Sequence, residues 1–348
     1  MKIKSLYFIL LSLLVSINSI SQNNERKFKI HTLAFYNLEN LFDTINDTNK
    51  NDEASPIMEI KYNRGKIYKK KISNMARVIS EIGYDVTNRP PTIIGICEVE
   101  NRKVVEDLIA NEKLSNHNYG IVHYDSPDRR GIDVGLLYNK DIFEIINSNS
   151  HELYITYNNT NDRSYTRDQL VVSGKLDGEL IHLIVNHWPS RGADETKRIA
   201  AAEVNNSIID SLRGIYKNPK IITMGDFNDD PFDKSIKKIL GAKKEINDVG
   251  KNDLYNPFEK ILVEQGIGTN AYRDKWQLFD QIILSKEFLK KDYSDYQLYK
   301  AGVFNKSYLI NNKGKFKGYP YRSFSYGTFT GGYSAHLPPY IFLLKEIR

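Results

Sequence analysis

Along residues 29–36, Ile30, Leu33 and Phe35 fall among polar neighbours in a near alternation. A period of two predicts a β-strand that ends by presenting Asn37. Within residues 62–82 the period lengthens: Ile72, Met75, Ala76, Ile79 and Ile82 recur at helical spacing, predicting a surface helix with Lys69, Lys70 and Lys71 near one end. Pro90 and Pro91 interrupt the chain, and residues 92–97 form a short apolar run of buried-strand type. Further strands are predicted at 132–138, 169–176 and 180–185, the last two joined by Asp177-Gly178, a strong hairpin signal. A helix over 195–213, with Val204, Ile208 and Leu212 on one stripe, precedes a strand at 220–224 that runs into Gly225-Asp226. Late strands are predicted at 277–284 and 339–344, while residues 43–60 and the Gly-, Tyr- and Lys-rich residues 311–333 read as loops. Strands arrive both as hairpins and as units separated by helices, so a layered α/β architecture fits better than an all-parallel sheet.

The first residues do not fit this pattern. Lys2 and Lys4 precede an apolar stretch from Leu6 to Ile17, and Ser19-Ile20-Ser21 follows, the three-part form of a secretory signal peptide. That stretch is shorter than the roughly 18 to 20 residues a membrane-spanning helix needs. The expected organisation is a signal peptide over 1–21, a loose polar tail over 22–28, and one domain over 29–348, acting as a secreted or periplasmic, monomeric protein without a transmembrane segment. With Cys97 as the one cysteine, no intramolecular disulfide is available and the core must supply stability. A composition 41% hydrophobic and 26% charged is that of an ordinary globular protein. A net charge of +6 is compatible with a phosphate-bearing partner without arguing for one.

Chemistry-bearing residues collect where predicted strands end. Four segments share this arrangement: Phe35-Tyr36-Asn37-Leu38-Glu39-Asn40, Ile96-Cys97-Glu98-Val99-Glu100-Asn101, Val185-Asn186-His187-Trp188-Pro189-Ser190 and Met224-Gly225-Asp226-Phe227-Asn228-Asp229. Two more, Phe279-Asp280-Gln281 and Gly332-Tyr333-Ser334-Ala335-His336-Leu337-Pro338, add an acid and a second histidine. Taken singly, Asn and Asp after a strand are turn formers and caps, and a strand-end Glu is ordinary surface. The ordered set has no such bland cause. It resembles the endonuclease/exonuclease/phosphatase superfamily over residues 30–346.

The resemblance implies two packed mixed β-sheets flanked by helices, a four-layer α/β sandwich with its site at one edge. It also implies a phosphoesterase dependent on Mg²⁺ (or Mn²⁺ or Ca²⁺), with Glu98 as the main metal ligand, Asn37 beside it and Glu39 in support. Hard oxygen ligands of this kind suit those ions. Asp226 and Asn228 would position the attacking water and a phosphate oxygen. His187 and His336 would flank the phosphorus, and Asp280 would orient the His336 ring. Arg167 would clamp phosphate, and Asp133 would orient His187. The substrate would be a phosphate ester, with nucleic acid first; a small phosphorylated metabolite or a phospholipid head group is the alternative.

One residue departs from the family pattern. Ser334-Ala335-His336 stands where the family has Ser-Asp-His, and alanine neither coordinates nor hydrogen-bonds through its side chain. Three readings stay open in the sequence: an impaired enzyme or non-catalytic binding protein, a site in which Asp226 or Glu39 takes over, or an engineered change. The runs Lys69–Lys71 and 313–317 read as solvated surface. Tyr319, Tyr321, Tyr326 and Tyr333 either stack bases, rest on lipid or pack their own loop down.

Overall fold

A computed structural model describes residues 26–157 and 160–347; the signal-peptide reading of residues 1–21 lies outside them. The strands, in chain order, are β1 (Lys27–Leu41), β2 (Ile93–Val99), β3 (Tyr119–His123), β4 (Asp133–Asn139), β5 (Phe143–His151), β6 (Gln169–Leu176), β7 (Glu179–His187) and β8 (Ile221–Asp226). They continue with β9 (Ala242–Lys243), β10 (Leu254–Tyr255), β11 (Asn270–Tyr272), β12 (Lys275–Gln277), β13 (Asp280–Ser285), β14 (Gln297–Val303), β15 (Phe324–Ser325), β16 (Thr328–Phe329) and β17 (Pro339–Ile347).

Two mixed sheets carry the architecture. A six-stranded sheet has the order β14-β17-β1-β2-β4-β3, and a seven-stranded one β5-β6-β7-β8-β13-β10-β9. In β1, Leu33 and Phe35 face the other sheet, meeting Val185, Met224 and Ile282, while Ala34 and Tyr36 face Met75 and Ile79 of the helix Arg64–Glu81. Both faces of this strand are covered, which explains why its buried stretch is apolar almost throughout instead of cleanly alternating. On the far side, Ile184, Ile221 and Ile283 pack against Ala201, Ile208 and Leu212 of the helix Glu195–Ile215. Helix, sheet, sheet, helix is the four-layer sandwich anticipated from the sequence. Each fully buried Leu, Ile or Phe contributes about 1.5–3 kcal/mol relative to exposure. Among the described residues, no helix is long and apolar enough to cross a membrane.

Differences from the sequence reading have local causes. β1 already starts at Lys27, inside the stretch read as a tail, because Lys27 and Phe28 pair with Ile347 and Glu346 of β17. The run predicted at 277–284 divides into β12 and β13, which belong to different sheets. The strands β3, β5 and β14 were not legible: β5 reads Phe-Glu-Ile-Ile-Asn-Ser-Asn-Ser-His, too polar to signal a strand, and it is held by pairing with β6. The Asp177-Gly178 turn is as expected, with both residues at positive φ (45° and 84°), as a two-residue hairpin of the mirror-image type requires.

His182 is buried in β7, its Nδ1 2.7 Å from the Ser173 hydroxyl and its Nε2 without a partner. Burial lowers its pKa from 6.5 to about 4. The folded state therefore binds fewer protons than the unfolded chain between those values, and stability held above 6.5 is lost as pH falls toward 4. A His182→Gln variant is expected to show a smaller drop in urea midpoint between pH 7 and pH 5 than the parent; equal drops would remove His182 as a cause.

Candidate active site

Parallel pairing sends β1 with β2, and β7 with β8, toward the same edge of the sandwich. Register then does the assembly. His187 lies beside Asp226 across β7 and β8, and Asp280 lies opposite Asp226 across β8 and β13. At β2 the ladder shifts between Cys97 and Val99, so Glu98 sits on a bulge with φ 58°. Bulges of this sort re-aim a side chain at a strand end. Gly225 permits the close approach of β8 to β7: a Cβ there would stand 2.4 Å from the Asn186 carbonyl oxygen. Before β17, the Ser334 hydroxyl donates to the Asn37 carbonyl at 2.8 Å and accepts the His336 N–H at 3.1 Å, holding His336 over the same edge.

Asn37 ties the two sheets together. Its Nδ2 donates to Asp226 Oδ2 at 3.0 Å and to Glu98 Oε1 at 3.2 Å. Glu98 Oε2 accepts the Asn40 N–H at 2.9 Å. The His187 Nε2 lies 3.9 Å from Glu98 Oε1 and 3.8 Å from Asp226 Oδ2. On the other side, His336 Nδ1 donates to Asp280 Oδ2 at 2.7 Å and stands 3.8 Å from Asp226 Oδ2. Left-handed backbone recurs here at Glu39, Asn40, Glu98 and Asn228, all non-glycine residues. Such conformations concentrate where a site, and not local stability, sets the geometry.

The two imidazoles are electrostatically different. Burial, reinforced by Arg167, Arg130 and His336, drives the His187 pKa well down, so this ring is neutral. For His336, burial opposes charge, but Asp280 and Asp226 outweigh it and push the pKa up to about 10. Burial and the neighbouring Asp280 raise the proton affinity of Asp226, against the pull of His336. Three acidic groups, Glu98, Asp226 and Asp280, thus face one imidazolium at this largely buried edge. An excess of buried negative charge with oxygen donors is a donor set that fits a divalent cation.

Other anticipated residues stand differently. Asn228 is at hand, with its N–H on Asp226 Oδ1 at 3.0 Å, but its Nδ2 donates to the Trp188 carbonyl at 2.9 Å. Arg167 is buried and committed: its donors reach the His187 carbonyl (3.2 Å), the Trp188 carbonyl (2.6 Å) and Asp128 (3.1 Å). It braces the His187 loop from behind, so the expectation of a free phosphate clamp is corrected. Asp133 does not touch His187; its carboxylate is 3.1 Å from His123 Nε2 and accepts the Ser126 N–H at 2.7 Å.

Glu39 is the most informative of these. Its Oε2 accepts the N–H of Ser323 at 2.7 Å and of Ala335 at 3.0 Å, and its Oε1 accepts from Arg322 at 3.1 Å. The Glu39 carboxylate, delivered from β1, thus meets the backbone at position 335. Lys71, read from sequence as solvated, is fully buried; its ammonium donates to the Glu39 carbonyl at 2.6 Å and to the Ser323 hydroxyl at 2.8 Å. Burial lowers its pKa to about 8. The signal was available: Lys71 is four residues before Met75, on the apolar stripe of its helix.

Next to His336 opens a groove of about 1190 Å³, walled by Arg273, Lys315 and Arg322 and by the rings of Tyr272, Phe316 and Tyr326. The loop predicted at 311–333 forms one wall, with the short hairpin β15–β16 inside it. Tyr319 donates to Asp274 at 2.7 Å and Tyr321 to the Thr330 carbonyl at 2.5 Å, so much of that tyrosine cluster packs its own loop.

Residues 32–345 match the Endonuclease/Exonuclease/phosphatase family, and the chain belongs to it. Members of this family are phosphoester hydrolases that generally use divalent metals. No curated protein matches the chain in sequence. Among solved structures, an endonuclease/exonuclease/phosphatase family protein from Bacteroides thetaiotaomicron is similar at 18% identity, covering 92% of this chain and 100% of its own, with a TM-score of 0.57. A mannosyl-6-phosphatase from the same organism is 19% identical over 90% of this chain and 99% of its own (TM-score 0.54). D. rerio TDP2 complexed with a single-strand DNA product is 13% identical over 90% and 99% (TM-score 0.54). At these identities the likeness is one of fold.

Proposed function

We propose that this chain is an exported, divalent-metal-dependent phosphodiesterase that hydrolyses nucleic acid by direct attack of water. The observation that carries the reading is Asn37, which bridges Glu98 and Asp226 while both imidazoles stand within 4 Å of Asp226. Glu98 and Asn37 would hold the cation, which supplies charge neutralisation to the phosphate when bound. Asp226, bonded by the Asn228 N–H, is the group that takes a proton from water. His336, kept protonated by Asp280, donates one hydrogen bond through Nε2 to the developing negative charge, and neutral His187 orients the phosphate from the opposite side. No Ser or Cys nucleophile is required, since the buried Cys97 thiol is driven up in pKa by burial and by Asp226.

A diester in an extended chain is favoured over a small monoester by the size and lining of the groove. At about 1190 Å³ it exceeds what a sugar phosphate fills, and its cations Arg273 and Lys315, which form no ion pair among the described residues, suit phosphates beyond the reacting one. Ala335 is read as compensated, because the Glu39 carboxylate already receives its N–H. Export rests on the composition of residues 1–21; amino-terminal sequencing of protein recovered outside the cytoplasm should begin near Gln22.

The direct test is a substrate panel of single- and double-stranded DNA, RNA, sphingomyelin and mannose 6-phosphate with Mg²⁺, Mn²⁺ or EDTA. Cleavage of nucleic acid in Mg²⁺, abolished by EDTA, is expected. Turnover of the sugar phosphate alone would reject the diesterase assignment, and EDTA-insensitive turnover would reject the metal.

A further inference from the structure

The segment joining β5 to β6 carries three exposed tyrosines, Tyr154 (58%), Tyr157 (40%) and Tyr165 (43%). Cations sit between them. The Arg163 guanidinium lies 5.3 Å from the Tyr154 ring and 4.8 Å from the Tyr165 ring. Arg129, from the loop before β4, lies 5.6 Å from Tyr165 and 5.9 Å from Tyr157. Lys197, in the first turn of the helix Glu195–Ile215, lies 4.7 Å from Tyr157. Three separate stretches of chain therefore build one continuous ladder, in the order Tyr154, Arg163, Tyr165, Arg129, Tyr157, Lys197.

Charge on the ladder is only partly spent. Arg163 pairs with Glu152 and Lys197 donates to the Ser164 hydroxyl, while among the described residues no carboxylate lies within ion-pair distance of Arg129 or Lys197. The ladder also joins the site. Tyr165 is two residues from Arg167, Arg129 follows Asp128, and Arg167 bonds both Asp128 and the His187 carbonyl. It thus lies on the His187 flank, whereas the cationic groove is lined by His336.

We infer that this ladder is an exosite for single-stranded nucleic acid, which guides the strand to the His187 side of the active site. The inference rests on reading that site as a phosphodiesterase. Rings alternating with cations offer stacking surfaces to bases and charge to phosphates without selecting sequence. Mutual stacking has already ordered the side chains, which lowers the entropic cost of binding. The rungs include no aliphatic side chain to enter a bilayer, so a strand fits better than a membrane.

The test pairs the full chain with an Arg129→Gln/Arg163→Gln double variant. Fluorescence anisotropy with a labelled oligothymidylate in EDTA reads binding without turnover; rates on the oligonucleotide and on bis(p-nitrophenyl) phosphate in Mg²⁺ read the site. The double variant is expected to bind the oligonucleotide ~10- to 100-fold more weakly, with a salt slope smaller by about 1–2. KM for the oligonucleotide rises in proportion, and bis(p-nitrophenyl) phosphate turnover is unchanged. Unaltered oligonucleotide binding, or loss of binding to phosphatidylserine vesicles instead, overturns the exosite. Should the double variant fail to fold, Lys197→Gln at the end of the ladder gives the same readout, with a ~3- to 10-fold effect expected. If the parent cleaves no diester, the active-site reading fails separately, while the anisotropy result still decides the ladder.

Discussion

Glu98→Gln lowers kcat/KM on a phosphodiester by at least ~10³-fold, the scale expected when the carboxylate that would hold the charge-neutralising cation is removed. The change keeps the size of the side chain and takes away its negative charge. One of its oxygens still accepts the Asn40 N–H that lies 2.9 Å from the parental carboxylate. The second position, now an amide, no longer accepts from Asn37 Nδ2, which retains its bond to Asp226. Because a carboxylate is also removed from beside Asp226, folding loses little: the thermal midpoint should stay within about 3 °C of the parent, as a change below ~1 kcal/mol implies. Initial rates with Mg²⁺ and a thermal melt measure both. A variant that turns over at the parental rate would take Glu98 out of the site; one that melts far lower would make it a structural residue.

The second large effect concerns Glu39 and Ala335 together. Glu39→Ala strips the partner from two N–H groups, those of Ser323 and Ala335, and from Arg322. Leaving a buried donor unpaired costs about 1–3 kcal/mol, so a loss of about 2–5 kcal/mol in urea unfolding is expected. The loop that carries His336 loosens, and kcat/KM falls ~10²-fold, since a misplaced group near 1 Å from its productive position costs about that much. Ala335→Asp in the otherwise unaltered chain brings a second carboxylate beside Glu39 and does not raise the rate. In the Glu39→Ala background the same Asp restores a carboxylate to the loop and recovers at least ~10-fold of the lost rate. If Ala335→Asp alone raises hydrolysis by orders of magnitude, the native chain is impaired and Glu39 is no substitute.

Much of the candidate site was legible because it depends on strand ends. Asn37, Glu98, His187 and Asp226 each stand within two residues of where an apolar run stops, and Asp280 and His336 bond each other as the family resemblance implied. What misled was the assumption that a charged side chain near a site is free to act on substrate. Arg167 looks from sequence like a cation opening a strand, but burial forces it to satisfy its donors on protein oxygens, as buried charges must. Lys71 looks like one of three solvated lysines, and helical phase turns that one inward.

The sequence by itself determined the local grammar: period two or three to four along each element, the mirror-type turn at Asp177-Gly178, and which side chains wait at the ends of strands. These depend on neighbours within a few residues, so pattern reading reaches them. Only the tertiary structure decided which waiting side chains meet. The shift in register at Glu98, the crossing of Asn37 from one sheet to the other, and the Glu39 carboxylate at Ala335 arise from pairing between segments dozens to hundreds of residues apart. A one-residue slip in any of those pairings would turn the same side chains to the opposite face, and composition and spacing carry no record of it.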